Sequence, residues 1–398
     1  MNSLNEIIKS QINIKIEFFD ETHKKLLCNK RKYPSDVVER MKKLVSDGLV
    51  VDGHDFLEYY LFHNKRYGIE KEDFIEMIPS KSNELRMHFD IKNNQLFKLR
   101  NIALDKTITE HIGESVGMLA ISHCFNIQSA DWSFIPESNK QKTLDCSLAI
   151  SDTGLIELEA KGTSAVDINL SAPSNSIFEK KKNKKSAKGK YYYGSITTID
   201  TSNLTCYLLD PPGNDGNFDL KRLRVTNRLS YYYEILRVIA PSSELIDILM
   251  DRIESIREFK YDLESLEKLK PKNRPRFNYA SGNEPTFFFR SYYHDSKEMK
   301  IGGRFFYLQE GLSLFIGVEN NLLNKIVNQN VDHLLSVDDE LSSIEINELV
   351  NRTAIQTTTR DGQRIKVEDK LFFGSSQLKM SGRVYIKNGL ALGVISYK

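Results

Sequence analysis

The stretch TLDCSLAISDTGLIELEAKGT, from Thr143 to Thr163, decides the fold of this chain. It consists of two short apolar runs separated by Ser-Asp-Thr-Gly, a pattern that predicts two antiparallel strands joined by a turn. Side chains alternate along a strand, so the residues of LIELEAK divide between an apolar face and a charged face. The charged face carries Glu157, Glu159 and Lys161. Charges within such an apolar segment need a physical reason.

Asp145 lies in the first of the two runs, and an antiparallel hairpin predicts that its carboxylate lies beside Glu159. Two carboxylates at close range repel each other, and each raises the pKa of the other unless a cation compensates. Hard divalent cations such as Mg²⁺ take oxygen ligands, usually carboxylates, water and the phosphate oxygens of a substrate. Lys161 points into the same pocket, where its ammonium group can orient the attacking water and stabilise charge on the phosphate. The residues therefore predict a site that hydrolyses phosphodiester bonds.

The sequence around this hairpin predicts an α/β core. Helical spacing runs from about residue 34 to 78 and again from Thr107 to His123, with Gly48 as the C-cap of a helix that starts near Ser35. The next hundred residues form short apolar runs bounded by turn residues, before helical spacing returns near residue 228. Helix, several strands and helix is the order of a mixed sheet covered by helices.

Beyond this core the chain changes character. Apolar residues recur every three or four positions over 242–270, which predicts one long helix that ends at Pro271. A linker rich in Pro, Gly and Asn follows, and then mostly strands, with hairpin signals at Asp361-Gly362 and Asn388-Gly389. We therefore predict a mainly helical region over 1–100, a core over 101–240, a connecting helix over 241–270 and a β-rich α+β domain over 271–398.

The charged hairpin resembles the PD-(D/E)XK nuclease superfamily, which includes restriction endonucleases. Asp145 matches the first acidic position, Glu159-Ala160-Lys161 matches the E-x-K, and Gly113-Glu114 is similar to the glutamate-bearing first helix of some members. The resemblance covers about residues 104–240 and implies a restriction-endonuclease-like mixed central sheet flanked by helices. It implies Mg²⁺ or Mn²⁺ as the cofactor. The implied catalytic residues are Asp145, Glu159, Lys161 and Glu114, and the implied metal ligands are Asp145, Glu159 and Ala160.

Two features leave alternatives open. Leu144 stands where the proline of the motif's name would be, and the sequence does not decide whether Glu110 or Glu157 assists the metal. An alternating strand with charges turned outward is also the ordinary appearance of a half-exposed antiparallel sheet. The alternative to a catalytic E-x-K is therefore a structural sheet with a solvated face.

Basic residues follow the motif. Seven lysines lie close together and predict phosphate contacts with a nucleic acid, with a solvated loop as the alternative: Lys180, Lys181, Lys182, Lys184, Lys185, Lys188 and Lys190. A second cluster consists of Lys221, Arg222, Arg224 and Arg228 and leads into three tyrosines, Tyr231 to Tyr233. These four basic residues are candidates for the same groove, whereas the tyrosines are better explained as core residues.

Composition sets limits on the function. The chain has 398 residues and a net charge of +2, so it is long enough for two or three units, and attraction to nucleic acid must come from local patches. The first residues show no signal or transit pattern, and no apolar run reaches membrane-spanning length. The four cysteines form no C-x-x-C pair, which indicates buried thiols in a reducing cytoplasm. No phosphate-binding loop sequence is present, which argues against ATP hydrolysis.

These observations lead to one expected function and two alternatives. The expected function is a metal-dependent endonuclease in the cytoplasm, active in anti-phage defence or restriction, with DNA as its substrate and RNA left open. The terminal regions would contact a partner protein of a defence complex. The alternatives are a non-catalytic module for binding nucleic acid or protein, and a structural subunit of a larger complex. A homodimer through the 242–270 helix is an alternative to burying its stripe within its own domain.

Overall fold

The computed structural model describes most of the chain. The chain divides into two compact units. The first unit consists of Met1–Gly68 and Glu84–Asn227, and the second of Ile69–Asn83 and Arg228–Lys398. The described residues are 3–63, 71–99, 104–134, 147–164, 171–182, 191–211, 219–240, 244–257, 263, 288–294, 297–328, 331–336, 340–351, 356–358, 364–366 and 377–397.

Helices and strands alternate through the first two thirds of the chain. The elements up to the charged hairpin are α1 (Ser3–Lys9), β1 (Gln11–Phe18), α2 (Glu21–Leu27), α3 (Ser35–Asp47), β2 (Leu49–Asp52), α4 (Gly53–Phe62), α5 (Lys71–His88), β3 (Phe89–Lys92), β4 (Gln95–Lys98), α6 (Lys106–Phe125), a 3₁₀ turn (Ser129–Asp131) and β5 (Trp132–Phe134). The elements that follow are β6 (Ser147–Ile150), β7 (Leu155–Thr163), α7 (Ser171–Lys182), β8 (Tyr191–Ile199), β9 (Leu204–Leu209), α8 (Leu220–Ile239) and α9 (Glu244–Arg257).

The first unit is built on a seven-stranded mixed sheet in the order β2-β1-β9-β8-β7-β6-β5. β5, β6 and β7 pair antiparallel, while β7 and β8 pair in parallel, with α7 as the crossover between them. The chain order α6, β5, β6, β7, α7, β8 is the order predicted for the core. The prediction of a mixed sheet flanked by helices is therefore confirmed.

The sheet extends beyond the predicted core. Residues 1–100, predicted to be mainly helical, also contribute β1, which pairs in parallel with β9, and β2, which pairs antiparallel with β1. Ile12, Ile14 and Ile16 alternate with exposed residues along β1 and are buried. Because these isoleucines share one face, they pack into the same core as the later strands.

The helix predicted at Ser35 is confirmed. It runs over Ser35–Asp47 and buries Val37, Val38, Met41 and Leu44 along one side. Gly48 follows with a φ of 80°, a backbone conformation that residues with a Cβ rarely adopt. This glycine lets the chain leave the helix and enter β2 directly.

The two faces of β7 are covered by different helices. Gly117 of α6 lies against Ala160 and Ser195, which are paired across β7 and β8. Ile177 of α7 lies against Gly194, whose partner on β7 is Glu159. Since successive residues of a strand point to opposite faces, β7 is enclosed on both sides.

The second unit is rich in strands, as predicted. Its strands are β10 (Phe288–His294), β11 (Lys297–Gln309), β12 (Leu312–Glu319), β13 (Ser342–Asn351), β14 (Gln356–Thr358), β15 (Arg364–Lys366), β16 (Gln377–Lys387) and β17 (Leu390–Tyr397), with helices α10 (Asn320–Asn328) and α11 (Val331–Leu335). They form one sheet in the order β13-β16-β17-β12-β11-β14-β15, and β10 pairs with β11. Residues 301–308, 314–316 and 390–395 supply much of its core.

Two predictions for this unit can be followed in part. Asn388 and Gly389 both have positive φ and join β16 to β17, so the hairpin predicted there is confirmed. The other hairpin signal, Asp361-Gly362, lies outside the described residues. The helix predicted over 242–270 is described as α9, Glu244–Arg257, and most of its remainder lies outside the described residues.

In the described part of the chain, no helix combines the length and apolar character needed to cross a membrane.

Candidate active site

The Glu and Lys of the E-x-K contact each other on β7. The Lys161 Nζ lies 2.9 Å from Oε1 of Glu159, and the exposed fractions of the two side chains are 15% and 0%. They are two residues apart on a strand and therefore share a face. The ammonium group is held at the carboxylate and is largely withdrawn from solvent.

Glu157 lies on the same face of the strand and is also buried. Its partners across the sheet are Leu148 on β6 and Tyr192 on β8. A half-exposed sheet would turn these charges toward water, yet both glutamates are withdrawn from it. Burying a carboxylate costs free energy unless cations or hydrogen bonds compensate, so the burial requires a specific arrangement.

Helix α6 approaches β7 closely enough for their backbones to touch. A Cβ placed on Gly162 would lie 1.7 Å from the carbonyl oxygen of Thr109, and one placed on Gly113 would lie 2.4 Å from the amide nitrogen of Gly162. Only glycine permits this distance, because any side chain would occupy the space between helix and strand. The contact is next to Lys161, and Glu114 is the residue after Gly113.

Glu114 is buried although it lies away from the main apolar stripe of α6. Met118 and Ile121, on the same side as Glu114, are also buried, so the helix is covered on both faces. The structure therefore places the Glu114 carboxylate in the interior, one residue from the contact with β7, on the helix that covers the Ala160 face of that strand.

Several predicted residues lie outside the described part of the chain. Asp145 is one of them, since β6 begins at Ser147. Ala160 is described, and its side chain faces α6. Of the lysine run, Lys184, Lys185, Lys188 and Lys190 lie outside the described residues, while Lys180, Lys181 and Lys182 form the end of α7 without described side chains.

Two arginines of the second basic cluster, Arg224 and Arg228, are not groove residues. Arg224 is buried and binds Asp131 through two hydrogen bonds, from Nε to Oδ1 at 2.9 Å and from Nη2 to Oδ2 at 3.3 Å. Burial lowers the pKa of Arg224, but the bonds to Asp131 and the nearby Asp152 outweigh it and leave that pKa raised. Arg224 therefore ties α8 to the 3₁₀ turn within the first unit.

Arg228, four residues later, is also buried in the second unit. Its Nη1 donates hydrogen bonds to the carbonyl oxygens of Leu334, at 2.6 Å, and Ser336, at 3.1 Å. The prediction that Arg224 and Arg228 line a nucleic-acid groove is wrong, because both guanidinium groups make internal contacts. Tyr231 and Tyr232 are buried, as their assignment to the core predicts.

Two of the three described cysteines are buried, as the sequence predicts for the thiols. Cys124 and Cys206 are buried, and burial raises the pKa of each thiol to about 12. Cys28 is partly buried, and Cys146 lies outside the described residues. A thiol of such high pKa is protonated at neutral pH, which excludes Cys124 and Cys206 as nucleophiles.

One cluster was not found from the sequence. His54, Asp55 and Glu58, at the start of α4, place one ligand atom each within 4.8 Å of one another. The group has a single histidine, so it lacks the pair of histidines four residues apart that marks many metal sites on helices. The pattern H-D-x-x-E at a helix start would have revealed it, since residues four apart share a helix face.

No protein-family model, curated protein or solved structure matches this chain. The candidate site is therefore judged on the geometry of its own residues.

Proposed function

We propose that this chain is a metal-dependent nuclease of the PD-(D/E)XK type, with a restriction-endonuclease-like core formed by α6, β5, β6, β7, α7 and β8. The single observation that carries the proposal is the Glu159–Lys161 contact on a strand enclosed on both sides. An exposed ion pair of this spacing is common on protein surfaces and contributes little to stability. A buried ion pair carries a desolvation cost, so its presence indicates a specific role. The chain order of the elements and the glutamate-bearing helix support the same assignment.

The residues present fit a hard divalent cation. Glu157 and Glu159 are buried carboxylates on one face of β7, and Lys161 adds an ammonium group to that same face. Carboxylate and carbonyl oxygens are the ligands of Mg²⁺ and Mn²⁺. We propose Glu159, the main chain of Ala160 and Asp145 as the metal ligands. The metal would supply an activated water and polarise the phosphate.

The chain's own residues would do the remaining work. Lys161 is held by its ion pair with Glu159, so its ammonium is positioned before a substrate arrives. An ammonium fixed in a site of low water content stabilises negative charge on a phosphate more strongly than a mobile surface lysine does. Glu114, also proposed as catalytic, is a buried carboxylate of α6, the helix that covers the opposite face of β7 from Glu159.

The proposal places one requirement on the chain before β6. The described ladder pairs Ser147 with Leu158. Carried back without interruption, this register would pair position 145 with Ala160, whose side chain is on the other face from that of Glu159. For Asp145 to share a metal with Glu159, the strands must leave this register, as they do at a β-bulge.

DNA is the proposed substrate, on the grounds that most members of the superfamily cut DNA, with RNA as the other nucleic acid to be assayed. We further propose a role in anti-phage defence or restriction, with a partner protein contacted by residues outside the core. The lysine run from Lys180 to Lys190 would contact phosphates irrespective of sequence. These finer statements rest on the resemblance of the motif.

A cleavage assay tests the proposal. Plasmid DNA, single-stranded DNA and RNA are incubated with the protein in Mg²⁺, Mn²⁺ or EDTA, and the assay is repeated with Glu159→Gln and Lys161→Met. We expect metal-dependent cleavage that falls about 100-fold or more in both variants. Lys15 and Glu17 offer a matched control, because they form an exposed ion pair of the same spacing on β1.

Lys15→Met and Glu17→Gln should leave cleavage unchanged. Cleavage that persists in EDTA, or that survives both substitutions on β7, would refute the proposed site. Binding of nucleic acid without cleavage in every condition would instead indicate a non-catalytic module, in which the buried ion pair is purely structural.

A further inference from the structure

A second cluster of side chains that can ligate a metal lies at the start of α4. The main-chain nitrogen of Gly53 donates a hydrogen bond to the carbonyl oxygen of Ser10 at 2.7 Å. A Cβ on Gly53 would lie 1.7 Å from the carbonyl oxygen of Ile7, so the first turn of α4 abuts the end of α1. This close packing buries the side chain of His54 completely.

Three side chains converge in that turn. His54, Asp55 and Glu58 each place a ligand atom within 4.8 Å of the others, and the His54 Nδ1 lies 3.8 Å from Oδ1 of Asp55. His54 and Glu58 are four residues apart and share a helix face. Glu58 is buried, whereas the side chain of Asp55 keeps 19% of its surface exposed. The cluster is therefore closed by protein except on the side of Asp55.

The charges of the cluster favour a cation. Asp55 and Glu58 bring two carboxylates together in surroundings from which most water is excluded, where a cation between them would offset the repulsion of like charges. The imidazole of His54 supplies a nitrogen ligand beside them. Two carboxylates and one nitrogen donor match a divalent transition metal such as Zn²⁺, because imidazole suits Zn, Cu, Fe and Ni, whereas Mg²⁺, Ca²⁺ and Mn²⁺ favour oxygen ligands.

We propose that His54, Asp55 and Glu58 form a binding site for a divalent transition metal, with Zn²⁺ as the preferred ion. Zn²⁺ ranks above Mn²⁺ in affinity for nitrogen and oxygen ligands. The three side chains provide three ligands, and the exposed side of Asp55 leaves a position for water. The proposal does not depend on the nuclease site, because the two sites share no residue.

The test counts bound zinc in full-length protein that carries Glu159→Gln, so that the proposed nuclease site contributes less to the result. The protein is stripped with a chelator and dialysed against Zn²⁺, and the bound metal is counted by elemental mass spectrometry. We expect one bound zinc to be lost, with affinity reduced about 100-fold or more, in Asp55→Asn, Glu58→Gln and His54→Ala. The two carboxyl variants keep the shape of the side chains, so they decide the matter even if His54→Ala fails to fold.

His63 provides the matched control. It is a buried histidine at the other end of α4, and its Nε2 is hydrogen-bonded to Ser129 Oγ at 2.7 Å. His63→Gln should keep the zinc that the cluster variants lose. Folded protein that binds no zinc, or cluster variants that retain the same number of zinc ions as the parent, would overturn the proposal.

Discussion

Gly162→Ala is expected to destabilise the first unit, because the helix that carries Glu114 rests directly on this glycine. The added Cβ would lie 1.7 Å from the carbonyl oxygen of Thr109, where ordinary contact needs 3.4 Å or more. The carbonyl oxygen belongs to the main chain, and the position of a Cβ is fixed by the backbone. No side-chain rotation therefore relieves the clash. Overpacking of an interior typically costs 1–3 kcal/mol, and we expect about 3 kcal/mol here. For a unit of 150–250 residues this lowers the melting temperature by about 6–12 °C.

Trp132 gives a probe that reports on this unit alone. It is the only tryptophan of the chain, it is buried in β5, and its Nε1 donates a hydrogen bond to Ser122 Oγ of α6 at 2.8 Å. Its fluorescence therefore follows the separation of α6 from the sheet. Thermal unfolding monitored by this fluorescence measures the first unit without contribution from the second.

Gly194→Ala is the matched control. Gly194 lies on β8 and pairs with Glu159 on β7. Its added Cβ would meet side-chain atoms, at 3.1 Å for Ile177 Cγ2 and 3.2 Å for Leu209 Cβ. Side chains can shift by a few tenths of an ångström, so we expect a cost below about 1 kcal/mol. Equal losses in Gly162→Ala and Gly194→Ala would refute a direct backbone contact between α6 and β7.

Two further predictions concern groups outside the site. Arg224→Met removes the two hydrogen bonds to the buried Asp131 and should cost about 3–5 kcal/mol in the Trp132 transition, whereas a loss below 1 kcal/mol would show that this ion pair is not needed. Cys124 and Cys206 have thiol pKa values of about 12, so they stay protonated at every pH below that value and should resist alkylation at pH 8 until the protein unfolds. Mass spectrometry of the labelled native protein checks this, and modification of either thiol before unfolding would contradict it.

The sequence predicts most reliably where a single element carries the whole signal. Gly48 and the stripe of Ser35–Asp47 predict a helix and its end, and Asn388-Gly389 predicts a hairpin, because both depend on backbone preferences of neighbouring residues. The alternation of β7 predicts that Glu159 and Lys161 share a face. It does not reveal that helices cover both faces.

The wrong predictions share a physical cause. A local sequence pattern does not identify the residues far along the chain that a side chain or strand contacts. Arg224 belongs to a basic run, but its partner Asp131 is 93 residues away. A charge run on its own favours a solvated or phosphate-binding face, so the internal ion pair was missed. For β1 the period-two alternation is present in the sequence, but its parallel partner β9 lies far along the chain, so the local pattern does not show that it joins the sheet.

The central claim is that one divalent metal joins two strands of the core, and anomalous diffraction from crystals soaked in Mn²⁺ tests it most directly. The account predicts a peak about 2.1 Å from carboxylate oxygens of both Asp145 and Glu159, with Lys161 on the same side of the sheet. An absence of density between these carboxylates, or an Asp145 side chain on the face of Ala160, would contradict the claim.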